Sequence, residues 1–151
     1  MLTLRIIVLV LHVIAAVLWL GPTLGLGKMV ERAFPVGKEA LALAVVDFRF
    51  RGRLASIGGL GVIVTGLALI FIAGGFKVVP PQIHAAFGLA ILAMLNSFVY
   101  GPGTRKLVVA AERFDDASIA DARKALKKMS MHSHISHALW LASLVMMFLP
   151  R

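Results

Sequence analysis

Five histidines carry most of the chemistry available to this chain: His12, His84, His132, His134 and His137. All of them lie in or at the edges of long apolar runs. Ionisable side chains are expensive in a lipid interior, so by default they face the protein and mark a function. Neutral imidazole is also the commonest protein ligand for metals and haem iron. At about 1.5 Å of helix rise per residue, His12 lies about 12 Å from the end of its run, His137 about 18 Å and His84 about 3 Å. His12 and His137 therefore match best in depth as a ligand pair. His84 caps the same end as an alternative metal ligand or a propionate contact, and His132 and His134 fall near the opposite headgroups.

Trp19 follows His12 by seven residues and Trp140 follows His137 by three, spacings that put each pair on one helix face. Gly58, Gly61, Thr65 and Ala68 form a small-residue stripe that allows close approach of a helix or a flat macrocycle. Asn96 sits within a run and needs a partner, because an unsatisfied buried amide is costly. Two or three imidazoles in an uncharged cavity, with Trp19, Asn96 and Trp140 in support, suit haem b. Copper held by Met129, Met131 and neighbouring histidines is the alternative. Cysteine is absent, which excludes disulfides, thiolate-bound zinc, iron–sulfur clusters and covalently attached haem.

The elements that must position these residues follow from composition. Of 151 residues, 60% are hydrophobic and 15% charged, against roughly 45–50% and about 25% in soluble domains. No Asp, Glu, Lys or Arg occurs from 6 to 27, 54 to 76, 78 to 104 or 129 to 150. Each run is near the ~20 residues that a helix needs to cross a bilayer, and none alternates as a membrane strand does. The expectation is an all-α, integral membrane four-helix bundle in one domain. Its helices cover about 4–27, 54–76, 82–104 and 129–149, and an amphipathic helix at 117–128 leads into the fourth. A short interfacial helix is expected over 38–50. The first run lacks a cleavage site and reads as a retained span rather than a secretion signal.

Thirteen of the sixteen Lys and Arg residues, and all seven acids, fall between runs one and two or three and four. The positive-inside rule then places two long loops in the cytoplasm and both termini outside. The net charge of +9 is accounted for by topology, and the aromatic interleaving of a nucleic-acid binder is missing.

Leu11-His12-Val13-Ile14 with Leu18-Trp19 resembles the first span of small bacterial membrane proteins of the J-type protoporphyrinogen oxidase family. Leu95-Asn96-Ser97-Phe98, Pro102 and the run ending Met146-Met147-Phe148-Leu149-Pro150 resemble the copper-resistance protein D family. The J-type resemblance implies haem bound through a first-span His, here His12, and a third-span Lys. This third span has no Lys, and His84 stands near its place. The implied location is a bacterial inner membrane. The expected function is electron transfer by a haem b protein, with a quinone, a redox subunit or other copies as partners. A porphyrinogen-oxidising enzyme, a copper-handling protein and a structural or assembly subunit are the alternatives.

Overall fold

A computed structural model describes residues 2–148, except for the side chain of Val99. Every regular element among them is helical: α1 (Leu2–Leu20), α2 (Leu26–Ala33), α3 (Lys38–Ile72), α4 (Pro81–Asn96), α5 (Tyr100–Arg113) and α6 (Asp116–Phe148). Gly21–Thr23 and Ser97–Val99 are 3-10 turns that join α1 to α2 and α4 to α5. The six helices thus make four antiparallel rods, two broken and two continuous.

Proline explains both breaks. Pro22 lies inside the first 3-10 turn, and Pro102 follows the second. A proline within a helix removes one N–H and presses on the carbonyl four residues earlier, so the backbone tightens or bends there. The expected uninterrupted helices over 4–27 and 82–104 are corrected accordingly. No proline occurs from 36 to 79, and the expected interfacial helix over 38–50 continues into the second span as one element. The helix expected at 117–128 likewise continues into the fourth run; the expected end at Leu149 lies outside the described residues.

The two segments expected as long loops are therefore helical extensions, closed by short turns at 34–37 and 114–115. They build a second tier beneath the apolar one. In this charged tier Leu26, Val30, Leu41, Val45, Phe48, Leu107, Ala110, Ala122, Leu126 and Met129 form a continuous core. Asp47 pairs with Arg51 one turn along α3, and Arg123 lies over the Phe34 ring at 5.2 Å.

The apolar tier is packed differently. Its own core is small, built from Ala15, Trp19, Ala55, Val62, Ala90 and Ala93. Outward it presents large apolar side chains, such as Ile6, Ile7, Leu9, Val13 and Val17 on α1. A broad exposed apolar surface of this kind suits lipid rather than water. Three rods, Leu2–Ala33, Lys38–Ile72 and Pro81–Arg113, are long and apolar enough to cross a membrane. The fourth run is polar enough, with four serines and three histidines from 130 to 143, that α6 is not among them. It nevertheless packs antiparallel along α4, from Ser143 beside Ala86 to His132 beside Asn96.

Close helix approach does the work that bulky side chains do in a soluble core. A Cβ at Gly58 would sit 2.8 Å from the Ala15 carbonyl oxygen and 2.7 Å from the Leu18 carbonyl carbon, so only glycine lets α3 meet α1 there. At the far end of α3, Gly74 and Gly75 take φ of 110° and 93°. These left-handed values reverse the chain into Pro81, the first residue of α4.

Candidate functional site

The polar side chains of the apolar tier bond across several pairs of elements. His12 on α1 meets Thr65 on α3, Nδ1 to Oγ1 at 2.8 Å. The Thr65 hydroxyl lies 2.6 Å from the Gly61 carbonyl, and when it donates there its oxygen accepts from His12 Nδ1. The matching tautomer carries its proton on Nδ1 and its lone pair on Nε2. The His12 ring also rests on Gly66, where a Cβ would stand 3.3 Å from its Cε1 and 4.0 Å from the Phe87 ring.

Nearer the charged tier, His137 on α6 bonds Thr23 in the first 3-10 turn, Nε2 to Oγ1 at 2.9 Å. Thr23 donates its own proton to the Leu20 carbonyl at 2.7 Å, a carbonyl at the end of α1. The matching tautomer of His137 carries its proton on Nε2 and its lone pair on Nδ1. Beside it, Asn96 uses both amide protons, on the His132 carbonyl at 2.7 Å and on Ser136 Oγ at 2.8 Å. Its oxygen accepts from His132 Nδ1 at 2.6 Å. No buried side-chain polar atom among the described residues lacks a partner.

His84 lies at the α3–α4 turn, where Nε2 donates to the Phe76 carbonyl at 2.9 Å and the ring leans on Phe76. Phe76 in turn meets Phe87 edge to face, so an aromatic path joins the surroundings of His84 and His12. His134 donates Nδ1 to the Ser130 carbonyl of its own helix and is exposed.

The depth match expected for His12 and His137 is corrected by these partners. Thr23, where His137 docks, lies eleven residues past His12, about 16 Å along the helix axis. Uniform depth counting missed this offset because it assumed straight helices with level ends. Among the described residues no group of three His, Cys, Asp or Glu side chains could hold a metal ion, so His12, His84 and His137 do not form one three-ligand site. His132, expected at the headgroups, is instead engaged inside the bundle. Met129 is buried in the charged-tier core while Met131 is exposed, which separates the two methionines of the expected copper cluster.

Trp19 is buried, its indole lying over Gly59, and Trp140 packs against the same small core. Sequence reasoning missed Thr65 and Thr23 as imidazole partners. A threonine hydroxyl that bonds back to its own helix is common, and nothing in linear order says which ring lies opposite. No known protein family, curated protein or solved structure matches the chain.

Proposed function

We propose that this chain is a multi-pass membrane protein that binds haem b through His12 and serves electron transfer. The observation that carries the reading is the His12–Thr65–Gly61 relay. Metal-binding histidines characteristically donate their second ring nitrogen to an oxygen, which fixes the tautomer and aims the lone pair. His12 has that arrangement in an uncharged tier. Gly66 lies against this ring with Phe87 beside it, and Phe76 meets Phe87 edge to face. Haem, once bound, supplies reversible one-electron chemistry at iron. The chain's part is to orient the imidazole, exclude water and keep the tier uncharged.

His137 docks too far along the bundle to share an iron with His12. His84, at the same end as His12, would be the second residue to hold the group, as a further imidazole or a propionate contact. With the charged tier on the cytoplasmic side of a bacterial inner membrane, as the positive-inside rule directs, this haem lies in the outward half. A quinone or a redox subunit is then the partner class. Absorption spectra of the purified protein test the proposal. A Soret band is expected in the parent chain, loss of it in His12→Ala, and retention in His137→Ala. Absence of the band after haem reconstitution, or an unchanged band in His12→Ala, overturns it.

A structural or assembly role is the second reading, favoured by the fact that each of the five imidazoles has a partner within the chain. It expects His12→Ala and His137→Ala to lower stability alike and to leave no spectroscopic trace.

A further inference from the structure

A cleft of about 460 Å³ opens between α5 and α6 where the two tiers meet. Lys106, Lys124 and Lys128 line it together with Pro102, Gly103 and Met129. Gly103 lets the helices close beneath it, since a Cβ there would run into Met129. Among the described residues, the only carboxylate in an ion pair with these ammonium groups is Asp121, 3.7 Å from Lys106, and both partners are exposed to solvent. The cleft therefore keeps a positive excess.

What lies next to the cleft gives it meaning. On α6 the positions Lys124, Lys128, Met131 and Ile135 recur at spacings of four, three and four, and so share one face. On the facing rod Lys106 and Pro102 stand one turn apart on α5, and Phe98 and Leu95 follow towards the apolar tier, in and beyond the 3-10 turn. Leu95, Phe98, Met131 and Ile135 are all exposed, Phe98 at 71%. Three cations thus stand at the head of a track of exposed apolar side chains that descends into the apolar tier. The volume lies within the roughly 300–1,000 Å³ of small-molecule sites.

The geometry points to a binding site for an anionic phospholipid, its phosphodiester among Lys106, Lys124 and Lys128 and an acyl chain along Phe98, Met131 and Ile135. Basic pockets between membrane helices recognise such headgroups through charge, and a free phosphate has no use for the apolar track. This site is separate from the His12 region and does not rest on haem.

The test is competition between phosphatidylglycerol and phosphatidylcholine for the full chain in neutral detergent, read as retained lipid by native mass spectrometry. The parent chain is expected to prefer phosphatidylglycerol by about tenfold or more. Lys124→Gln with Lys128→Gln is expected to bring that preference close to unity. Arg49→Gln with Arg53→Gln removes the same charge from exposed positions on α3 and is expected to keep it. Ile135→Ser is expected to weaken lipid retention with charge unchanged. The proposal is overturned by equal retention of both lipids in the parent chain, or by equal loss in the α3 variant. Displacement of the lipid by millimolar inorganic phosphate would also overturn it, since the cleft would then hold phosphate alone.

Discussion

At the scale of single residues, Thr65 and Thr23 each close a hydroxyl bond with a carbonyl of their own segment and meet a histidine ring with the same oxygen. Asn96 instead reaches across to α6, where its amide protons go to the His132 carbonyl and Ser136 and its oxygen accepts from the His132 ring. Asn96 has the most to lose, since it serves His132 twice and Ser136 once. Asn96→Ala is expected to cost about 1–3 kcal/mol, the penalty of stranding buried donors and acceptors. Unfolding in detergent measures it, and a change near zero would show that water fills the gap. The histidines themselves were legible in the sequence as the rare ionisable groups of the apolar runs. Their partners were not, because a hydrogen bond between residues 12 and 65 depends on the register between α1 and α3, and no property of either segment alone encodes it.

At the scale of elements, four helical rods could be read from uncharged runs because lipid leaves the backbone few choices. The continuity of α3 and α6 was less evident. Arg49, Arg51 and Arg53 look like an interfacial boundary, yet charge does not end a helix, and without proline the backbone carries on through it. The ends of helices are set by smaller features. Asp115 precedes α6 and accepts the Ser118 backbone N–H at 2.7 Å, while the Ser118 hydroxyl donates to the Asp115 carbonyl. Bonding from Ser118, by its backbone first and then its side chain, holds the Asp115 carboxyl below the usual carboxylate range. A lowered folded-state value means the cap stabilises fully above the unfolded value of about 3.9 and fades as pH falls through the folded one. Asp115→Ala is therefore expected to melt below the parent by the same margin from about pH 5 to 7, with the two curves converging in stronger acid. Thermal melts followed by circular dichroism would show it, and a margin that persists under strong acid would assign the effect to something other than the carboxylate.

At the scale of the whole molecule, the two tiers obtain their stability from different sources. The charged tier has a conventional aliphatic core in which Leu41 and Leu107 have no exposure at all. The apolar tier leans on close backbone contact and a few polar bonds. Leu107→Ala is expected to cost about 2–5 kcal/mol, whereas Leu11→Ala, half exposed on the outer face of α1, is expected to stay within about 0.5 kcal/mol. Denaturant titration of both variants in detergent makes the comparison, and similar losses at the two sites would contradict the division. The rods differ in another respect that links the tiers. Two of them are jointed at Pro22 and Pro102, while α3 runs unbroken for 35 residues, about 52 Å. A tilt imposed on α3 at its Thr65 end is delivered to Leu41 and Val45 as rigid lever motion, while the neighbouring rods can flex at their hinges and follow. The molecule thus has the mechanical layout of a coupling rod between two elbows, so an event beside His12 has a solid route to the positively charged end of the bundle.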